Sequence, residues 1–374
     1  MMAVRFSGAA VFDGTHLHHG ASLTVKDGRV AESDRPAETV MLAGGILAPG
    51  LLDLQVNGGG GRMIDAATDV ATIRGVCAVH ARLGATGILP TLITDTKAAT
   101  QAVIAAGIAA AREAVPGFLG LHLEGPHLDP RRKGAHDPSL IRPMDDGDLA
   151  ALLDAARALP SLMVTVAPEA VTLEQIAQLR AAGVIVSLGH SETGCKRAQA
   201  AIAAGAGCAT HLFNAMSGLQ NREPGLVGAA LTTDIFAGLI ADGIHVDPVT
   251  IRVAMAAKPE RIFLVSDAMA AAGSDATEFN LGGRRILRRN GTLTLADGTL
   301  AGADLSLPQA LKVMVEAAGV APATALAMAT SRPAACLGRE ADLGHLLPGR
   351  MADMVHLGDD WSLQGVWLAG QRIV

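Results

Sequence analysis

The chain has 374 residues, of which half are apolar and only 2% are aromatic, with no tyrosine, so its core must be aliphatic and rich in alanine. This length favours one large barrel with a smaller unit over a single compact domain. The net charge of −6 leaves no basic footprint for nucleic acid, although a locally basic pocket is still compatible with a phosphorylated small substrate.

The cysteines are scattered and form no CxxC motif or disulfide-like framework; they are Cys77, Cys195, Cys208 and Cys336. This pattern predicts reduced thiols and a cytoplasmic protein. Residues 1–6 lack the charged and long apolar regions of a signal peptide. No run of 18 apolar residues is free of glycine or charge, so we expect no membrane span.

Both ends of the chain have the pattern of short strands joined by turns. Residues 3–48 contain Asp-Gly hairpin signals, and the last thirty or so residues have the same texture. Because chain termini often lie close together, we expect residues 1–48 and 345–374 to form one small β-sandwich domain. Three histidines beside the first turn are interpreted as surface residues, not ligands: His16, His18 and His19.

Residues 49–344 alternate apolar runs with alanine-rich segments of helical period, which is typical of an α/β fold with a parallel sheet. Strands are predicted at 50–56, 87–93, 118–124, 162–167, 184–190, 208–211, 236–241 and 262–267. Helices between them are predicted at 97–114, 146–158, 173–182 and 196–204. Eight strands favour a (β/α)8 TIM-like barrel over an open sheet. Inserted β-hairpins are predicted near 279–301, and a late helix at 306–318.

Four of these predicted strands end in a side chain that can bind a metal ion or carry a proton: Glu124, His190, His211 and Asp267. The carboxyl ends of barrel strands meet at the face where active sites are built. One carboxylate and two imidazoles are a good ligand set for Zn²⁺ or a similar divalent ion, with a position left for water. Asp267 could then move a proton from that water to a leaving group. A single histidine is more often a core or rim residue, but four consistent strand ends favour a metal-dependent hydrolase.

The first predicted strand carries Gln55 and Asn57 on one face, where many metal-dependent hydrolase barrels have a His-x-His pair. Amide oxygens compete weakly with imidazole for a metal, so we expect one tightly bound ion and not two. Gln55 and Asn57 are then either a vestige of a second-metal site or contacts to a water molecule. Alternatively, the two side chains hydrogen bond the loop 58–61, and both interpretations can hold.

Eight short motifs follow one another across nearly the whole chain. They are APGLLDLQVNG (48–58), HLEGP (122–126), KGAH (133–136), LGHS (188–191), THLFNAM (210–216), REPG (222–225), ADGIH (241–245) and VSDA (265–268). Each motif alone has modest specificity, but the series resembles the amidohydrolase superfamily, and within it the N-acetylglucosamine-6-phosphate deacetylase family. The small β domain formed by both termini is also similar to the superfamily.

The resemblance implies an enzyme of amino-sugar metabolism that hydrolyses N-acetyl-D-glucosamine 6-phosphate to D-glucosamine 6-phosphate and acetate. It implies one catalytic metal ion at Glu124, His190 and His211, and a general acid/base at Asp267. Zn²⁺ is the default ion for these ligands, and Fe²⁺, Mn²⁺ or Co²⁺ would fit them too. A further implied role is that His136 polarises the acetamide carbonyl and stabilises the oxyanion.

The resemblance also implies where the sugar phosphate is bound. Arg222 and His245 fall at sugar-phosphate contacts, and Asn214 and Ala215 fall on a loop whose backbone helps to hold the phosphate. Family members are typically homodimers, and in some of them phosphate contacts come from the neighbouring subunit. One departure from the family is the loop 58–61, which has no cysteine or bulky residue.

Alternatives stay open at this point. A different amidohydrolase, such as a cyclic amidase or a nucleobase deaminase, would share the chemistry but would not need the phosphate contacts. A non-catalytic barrel predicts the loss of metal ligands, whereas this chain keeps all of them. On the residues alone, Arg222 could pair with Glu223, His245 could be a rim residue, and His136 follows a basic run that is usually solvated.

Overall fold

In a computed structural model, residues 3–32 and 37–374 are described. The chain begins with seven strands: β1 (Ala3–Ser7), β2 (Ala10–Phe12), β3 (Leu17–His18), β4 (Leu23–Lys26), β5 (Arg29–Ala31), β6 (Ala37–Met41) and β7 (Ile46–Pro49). Four of them form one sheet in the order β5-β4-β1-β6, and β2, β3 and β7 belong to a second sheet. The three predicted surface histidines are exposed, and His18 Nε2 lies 2.7 Å from Asp13 Oδ2.

Strands then alternate with helices through the middle of the chain. In order, they are β8 (Leu51–Val56), β9 (Gly58–Gly59), β10 (Arg62–Met63), α1 (Val70–Arg82), β11 (Ala85–Ile93), α2 (Lys97–Arg112), β12 (Leu121–Glu124), α3 (Asp146–Ala158), β13 (Leu162–Val166), α4 (Leu173–Ala181), β14 (Ile185–Leu188), α5 (Cys195–Ala204), β15 (Cys208–Ala209), α6 (Gly225–Thr232), β16 (Phe236–Leu239), α7 (Pro248–Ala257) and β17 (Ile262–Leu264). A 3-10 turn occupies Pro130–Arg132.

Eight of these strands form one parallel sheet in chain order: β8, β11, β12, β13, β14, β15, β16 and β17. The sheet closes at a seam between β8 and the residues that follow β17. There the Asp267 N–H donates to Gln55 O over 3.1 Å, and the Asn57 N–H donates to Ala268 O over 2.8 Å. The prediction of a (β/α)8 TIM-like barrel is therefore confirmed, and the carboxyl ends of its strands share one face.

Short polar side chains fix where several outer helices begin. Thr96 Oγ1 accepts the Ala99 N–H at the start of α2, and reciprocal capping boxes join Asp145 to Asp148 in α3 and Thr172 to Gln175 in α4. Such caps satisfy N–H groups that have no partner within the helix. None of the helices in the described part of the chain is long and apolar enough to cross a membrane.

Several strands are shorter than the sequence predicts. β14, β15 and β17 end at Leu188, Ala209 and Leu264, before the histidines and the aspartate that the prediction included. The reason is that His190, His211 and Asp267 have φ angles of 47°, 28° and 51°. These left-handed conformations cannot continue a strand, so only Glu124 is a strand residue.

Four antiparallel strands lie where inserted hairpins are predicted: β18 (Glu278–Leu281), β19 (Arg284–Arg289), β20 (Thr292–Thr294) and β21 (Leu300–Ala303). Their buried side chains form a separate small core with Met269, which follows the barrel seam. The Arg284 guanidinium donates to Ala135 O over 2.5 Å. The insertion is therefore packed over the carboxyl face of the barrel, and residues 278–303 are called the lid.

The chain ends with three helices and three strands: α8 (Leu307–Lys312), α9 (Pro322–Ala329), α10 (Ser331–Cys336), β22 (Met354–Leu357), β23 (Leu363–Leu368) and β24 (Gln371–Arg372). The predicted helix at 306–318 is α8, continued by one π-helical turn at Val313–Ala317.

A six-stranded sheet in the order β24-β23-β22-β7-β2-β3 joins strands from both ends of the chain. The rings of Phe6 and Trp367 meet edge to face at 5.3 Å, so the two ends also share a core. These contacts support a small domain of residues 1–48 plus 345–374 beside a barrel of 49–344. That division stays a prediction, and residues 1–2 and 33–36 lie outside the described residues.

Candidate active site

Three donor atoms converge at the carboxyl end of the barrel. Glu124 Oε1 lies 3.1 Å from His190 Nε2 and 3.0 Å from His211 Nε2, and the two Nε2 atoms are 3.1 Å apart. All three side chains are buried. Among the residues that the structure describes, this is the only group of three His, Cys, Asp or Glu side chains with the spacing of a metal site.

The surroundings of the three side chains test whether they fit a metal ion. His190 Nδ1 lies 2.8 Å from the Arg132 carbonyl oxygen, which only accepts, so Nδ1 carries a proton and Nε2 is left for a ligand. Two imidazole nitrogens and a carboxylate oxygen then crowd together without enough protons to pair them all. A divalent cation would satisfy all three atoms. The ligand set therefore fits a divalent metal ion.

Backbone strain is concentrated in these residues. His190, His211 and Asp267 all have positive φ angles, which β-carbon crowding makes costly by roughly 1–2 kcal/mol per residue. Such conformations persist only where the surrounding structure holds them, and they cluster at functional sites. The strain turns each side chain from the end of its strand into the centre of the barrel face.

Asp267 lies beside the ligand cluster and is held by two amides. Its Oδ1 accepts from Asn57 Nδ2 at 2.7 Å and from Gln55 Nε2 at 3.2 Å, and Gln55 Nε2 also donates to Glu124 Oε1 at 3.1 Å. The side-chain N–H groups of Gln55 and Asn57 therefore go to carboxylates and not to the loop 58–61. Asn57 Oδ1 is buried without a partner in the described structure.

The two central carboxylates differ in how readily they ionise. Burial works to raise the pKa of Glu124, but the adjacent imidazoles of His190 and His211 outweigh it and hold that pKa well below its ordinary value. Burial, together with the charge of Glu124, raises the pKa of Asp267 to about 6. Glu124 is thus suited to bind a cation, and Asp267 to exchange a proton near neutral pH.

His136 presents a hydrogen-bond donor to the cavity. Its Nδ1 accepts the Thr94 N–H at 3.2 Å and lies 2.7 Å from the Thr94 hydroxyl. Burial is the main reason that the pKa of His136 lies well below its ordinary value. The imidazole is therefore neutral, with its proton on Nε2. Thr94 directly follows β11, and this position at a strand end indicates that it lies near the site but does not predict its bond to His136.

A cavity of about 240 Å³ surrounds this cluster. Barrel residues that line it include Asn57, Glu124, His136, His190, His211, Asn214, Ala215, His245 and Asp267. The lid contributes Leu281, Thr299, Leu300 and Gly302, none of which the sequence analysis singled out. None of these four residues is titratable or a usual metal ligand, so only their place in the insertion predicts proximity to the site.

Of the predicted sugar-phosphate contacts, His245 is the one with the clearest orientation. Its Nδ1 lies 2.6 Å from Asp242 Oδ2, while Asp242 Oδ1 accepts the N–H groups of Ile244 and His245. This arrangement fixes the imidazole and leaves Nε2 for the cavity. Asn214 and Ala215 lie on the loop after β15, close to His211.

Arg222 is the predicted site residue that the structure does not bring to the cavity. It lies on an exposed segment and does not line the cavity formed by the described residues of this chain. The Glu223 carboxylate accepts the N–H groups of Cys195 and Gly225, at 2.7 and 3.0 Å, so it caps α5. Any contact of Arg222 with a ligand therefore needs a movement of this segment or a second subunit.

Comparisons with known proteins agree with this geometry. A sequence model of the amidohydrolase family matches residues 46–373. An N-acetylgalactosamine-6-phosphate deacetylase from Shewanella sp. (strain ANA-3) is 38% identical over 98% of this chain and 95% of that protein. An N-acetylglucosamine-6-phosphate deacetylase from Haemophilus influenzae is 33% identical, over 91% of this chain and 90% of the relative. The crystal structure of N-acetylglucosamine-6-phosphate deacetylase from Pasteurella multocida superposes with a TM-score of 0.95 at 32% identity, over 99% of both chains.

Proposed function

The chain belongs to the amidohydrolase family, and we propose that it is a metal-dependent deacetylase that converts N-acetyl-D-glucosamine 6-phosphate to D-glucosamine 6-phosphate and acetate. The observation that carries the proposal is the convergence of Glu124, His190 and His211 beside Asp267 in one buried cavity. The C–N bond of an acetamide is stable. Its hydrolysis needs an activated water molecule, a hydrogen-bond donor for the oxyanion and a proton for the departing amine.

Glu124, His190 and His211 would hold one divalent ion per chain. Zn²⁺ is the default for one carboxylate and two imidazoles, and Fe²⁺, Mn²⁺ or Co²⁺ fits the same ligands. When bound, such an ion acidifies a water molecule and polarises the amide carbonyl. The Gln55 amide stands between Glu124 and Asp267, where it reduces their repulsion without a second cation.

Asp267 is the proton carrier of the proposed reaction. The two amides hold its Oδ1, so Oδ2 is free to take a proton from the attacking water and to pass it to the nitrogen of the leaving amine. Burial raises the pKa of Asp267 above its ordinary value, which favours a carboxyl group that can be ionised first and protonated afterwards.

His136 stabilises charge on the substrate. Its imidazole is neutral, Nδ1 is hydrogen bonded to Thr94, and the Nε2–H has no partner of its own among the residues that the structure describes. This proton can donate to the acetamide oxygen, which becomes negative as water adds to the carbonyl. Removing a single donor of this kind typically slows an enzyme by about 10²–10³-fold.

The substrate phosphate is proposed to contact His245, Arg222 and the backbone of Asn214 and Ala215. Arg222 would reach it from the neighbouring subunit of a homodimer. Exposed apolar side chains near Arg222 and on α7 support an interface at this side of the barrel; they are Leu219, Ile244, Val249 and Val253. We also propose a cytoplasmic location, which suits four free cysteines.

A second candidate substrate is N-acetyl-D-galactosamine 6-phosphate, which differs only in the configuration at carbon 4. The observation that favours it is the Shewanella relative of that name, which is more similar to this chain than the Haemophilus protein is. Both candidates need the same acetamide chemistry at Asp267 and His136. The two candidate substrates would differ only in their contacts with the part of the cavity that surrounds the sugar ring.

The test is acetate release by the metal-loaded protein from each phosphorylated epimer and from unphosphorylated N-acetylglucosamine. We expect release from the phosphorylated sugars only, with the higher kcat/KM for the glucosamine compound. A higher kcat/KM for the galactosamine compound would transfer the assignment to the second candidate. No release from either phosphorylated sugar would overturn the proposed function.

A further inference from the structure

Asp53 is a fully buried carboxylate that has no part in the proposed reaction. It lies in β8 with no exposed surface, two residues before Gln55. Its partners are backbone N–H groups: Ser266 N–H lies 3.2 Å from both carboxylate oxygens, and Gln55 N–H donates to Oδ1 at 3.2 Å. Burial is the main reason that its pKa is raised to about 7. A buried carboxylate is costly, so its presence here calls for a physical reason.

The contacts of Asp53 lie at the seam where the barrel closes. Further toward the carboxyl ends of the strands, backbone groups make the closure, from the Asp267 N–H to Gln55 O and from the Asn57 N–H to Ala268 O. The Ser266 N–H would need a carbonyl from β8 in a regular parallel ladder, and the Asp53 carboxylate takes that place. A side chain therefore completes the closing ladder at the residue directly before Asp267.

The residue that follows this contact is strained. Asp267 has a φ of 51°, which a non-glycine residue keeps only when its surroundings hold it. Several contacts do so: Asp53 binds the preceding N–H, Gln55 O binds its own N–H, the Asn57 and Gln55 amides bind its carboxylate, and the Ala303 N–H donates to its carbonyl. The Asp53 contact is the one that holds Ser266 against β8, so its loss would allow residues 266–267 to relax toward an ordinary φ and turn the Asp267 carboxylate away from Glu124.

We propose that Asp53 is a positioning residue for Asp267. Its carboxylate anchors Ser266 across the barrel seam and thereby keeps Asp267 in the left-handed conformation that directs its carboxylate to the metal-ligand cluster. The expected effect on turnover rests on the proposed function, whereas the expected effect on the conformation of Asp267 does not.

The test is Asp53→Asn, which keeps the size of the side chain but turns one acceptor into a donor that faces the Ser266 N–H. We expect kcat to fall about tenfold to a hundredfold, the loss that a displaced catalytic group causes. KM should stay within about twofold and the metal content should be unchanged, because neither the substrate contacts nor the ligands move. In a crystal structure of the variant, Asp267 should lose its positive φ and its hydrogen bond to Asn57.

Asp353→Asn is the matched control. Asp353 Oδ1 accepts the Ala369 N–H at 2.7 Å, so the same substitution breaks a carboxylate-to-backbone contact in the small β unit, away from the seam. Its kcat should stay within about twofold of wild type, since stability alone is affected. If Asp53→Asn does not fold, Asp53→Ser removes the carboxylate that binds the Ser266 N–H and leaves a smaller polar side chain in its place. That variant should show the same loss of kcat and the same movement of Asp267.

Four results would overturn the proposal: an Asp53→Asn variant with wild-type kcat and an unmoved Asp267, an equal loss of kcat in Asp353→Asn, a loss of bound metal that accounts for the lost turnover, or a wild-type kcat in Asp53→Ser. If the wild-type protein releases no acetate, the proposed function fails separately. The crystal structure of the variant then still decides the role of Asp53.

Discussion

At the scale of single residues, the site depends on which proton each side chain holds. Thr94 leaves His136 a proton on Nε2, the Arg132 carbonyl leaves His190 a free Nε2, and two amides leave Asp267 Oδ2 open. Each of these assignments follows from a neighbour that can only donate or only accept. The chemistry of the cavity is therefore set by residues that do not themselves react.

Asp267→Asn tests the proton carrier. The amide cannot take a proton from water, so we expect kcat to fall by about 10²–10⁴-fold. Metal content should stay near that of wild type, because the ligand atoms belong to Glu124, His190 and His211. Steady-state kinetics and elemental analysis of the same sample measure both quantities, with Asp353→Asn as control. Near-native turnover in Asp267→Asn would remove this residue from the mechanism.

The sequence predicts the four central side chains but not their partners. Glu124, His190, His211 and Asp267 could be assigned because apolar runs end at them, and barrel strands share one carboxyl face. The bonds from Thr94 to His136 and from Asn57 to Asp267 depend on loop paths and rotamers that no spacing encodes. For the same reason, the sequence assigns no role to Asp53 within the motif at 48–58, although Asp53 shares a strand face with Gln55.

At the scale of elements, the predicted order of strands and helices agrees with the barrel, whereas the strand ends do not. No proline or charged residue separates Leu188 from His190 or Ala209 from His211, so the sequence pattern extends β14 and β15 to these histidines. The left-handed φ of these histidines ends the strands earlier. The lid was predicted only as hairpins, because its approach to Ala135 and Met269 is a tertiary contact.

Helix α1 allows a test of how one buried histidine couples folding to pH. Its His80 lies beneath the loop after β8, with Nε2 2.8 Å from Gly58 O, and burial lowers the pKa of His80 to about 4. In the unfolded chain the ordinary value is 6.5. Between these two values the unfolded chain binds a proton that the folded chain does not, so His80 destabilises the fold as pH falls.

His80→Gln removes this titration and keeps a donor for the Gly58 carbonyl. From pH 8 to pH 5, the free energy of unfolding of the wild type should fall by about 2 kcal/mol more than that of the variant. The reason is that unfolding of the wild type takes up a proton at His80, which the variant lacks. Urea unfolding at the two pH values measures the difference. A gap between variant and wild type that is the same at both pH values would contradict the assignment.

At the scale of the whole molecule, the proposed phosphate contact of Arg222 depends on whether two chains assemble. The side chain is exposed on its own subunit and does not line the cavity of the described chain. Apolar residues around it and on α7 are exposed as well, including Leu219 and Val249 at 57% each. A homodimer through this face would bury these residues and bring Arg222 to a neighbouring cavity.

Mixed dimers test this arrangement. Arg222→Ala alone should raise KM for the phosphorylated sugar, because a bidentate phosphate contact is lost. When Arg222→Ala and Asp267→Asn chains are refolded together, random pairing places an intact Arg222 beside an intact Asp267 in about one quarter of the sites. At low substrate we expect that fraction of wild-type turnover. Turnover no higher than that of the unmixed variants would show that Arg222 does not act across subunits.

The central claim is that one divalent ion, bound by Glu124, His190 and His211, is required for deacetylation. The most direct measurement is acetate release from N-acetylglucosamine 6-phosphate by metal-depleted protein, titrated with Zn²⁺ while bound metal is counted. We predict no turnover without metal and a linear gain that saturates at about one ion per chain, as expected for three protein ligands and water. Full turnover by the metal-depleted protein, or saturation only at two ions per chain, would contradict the account.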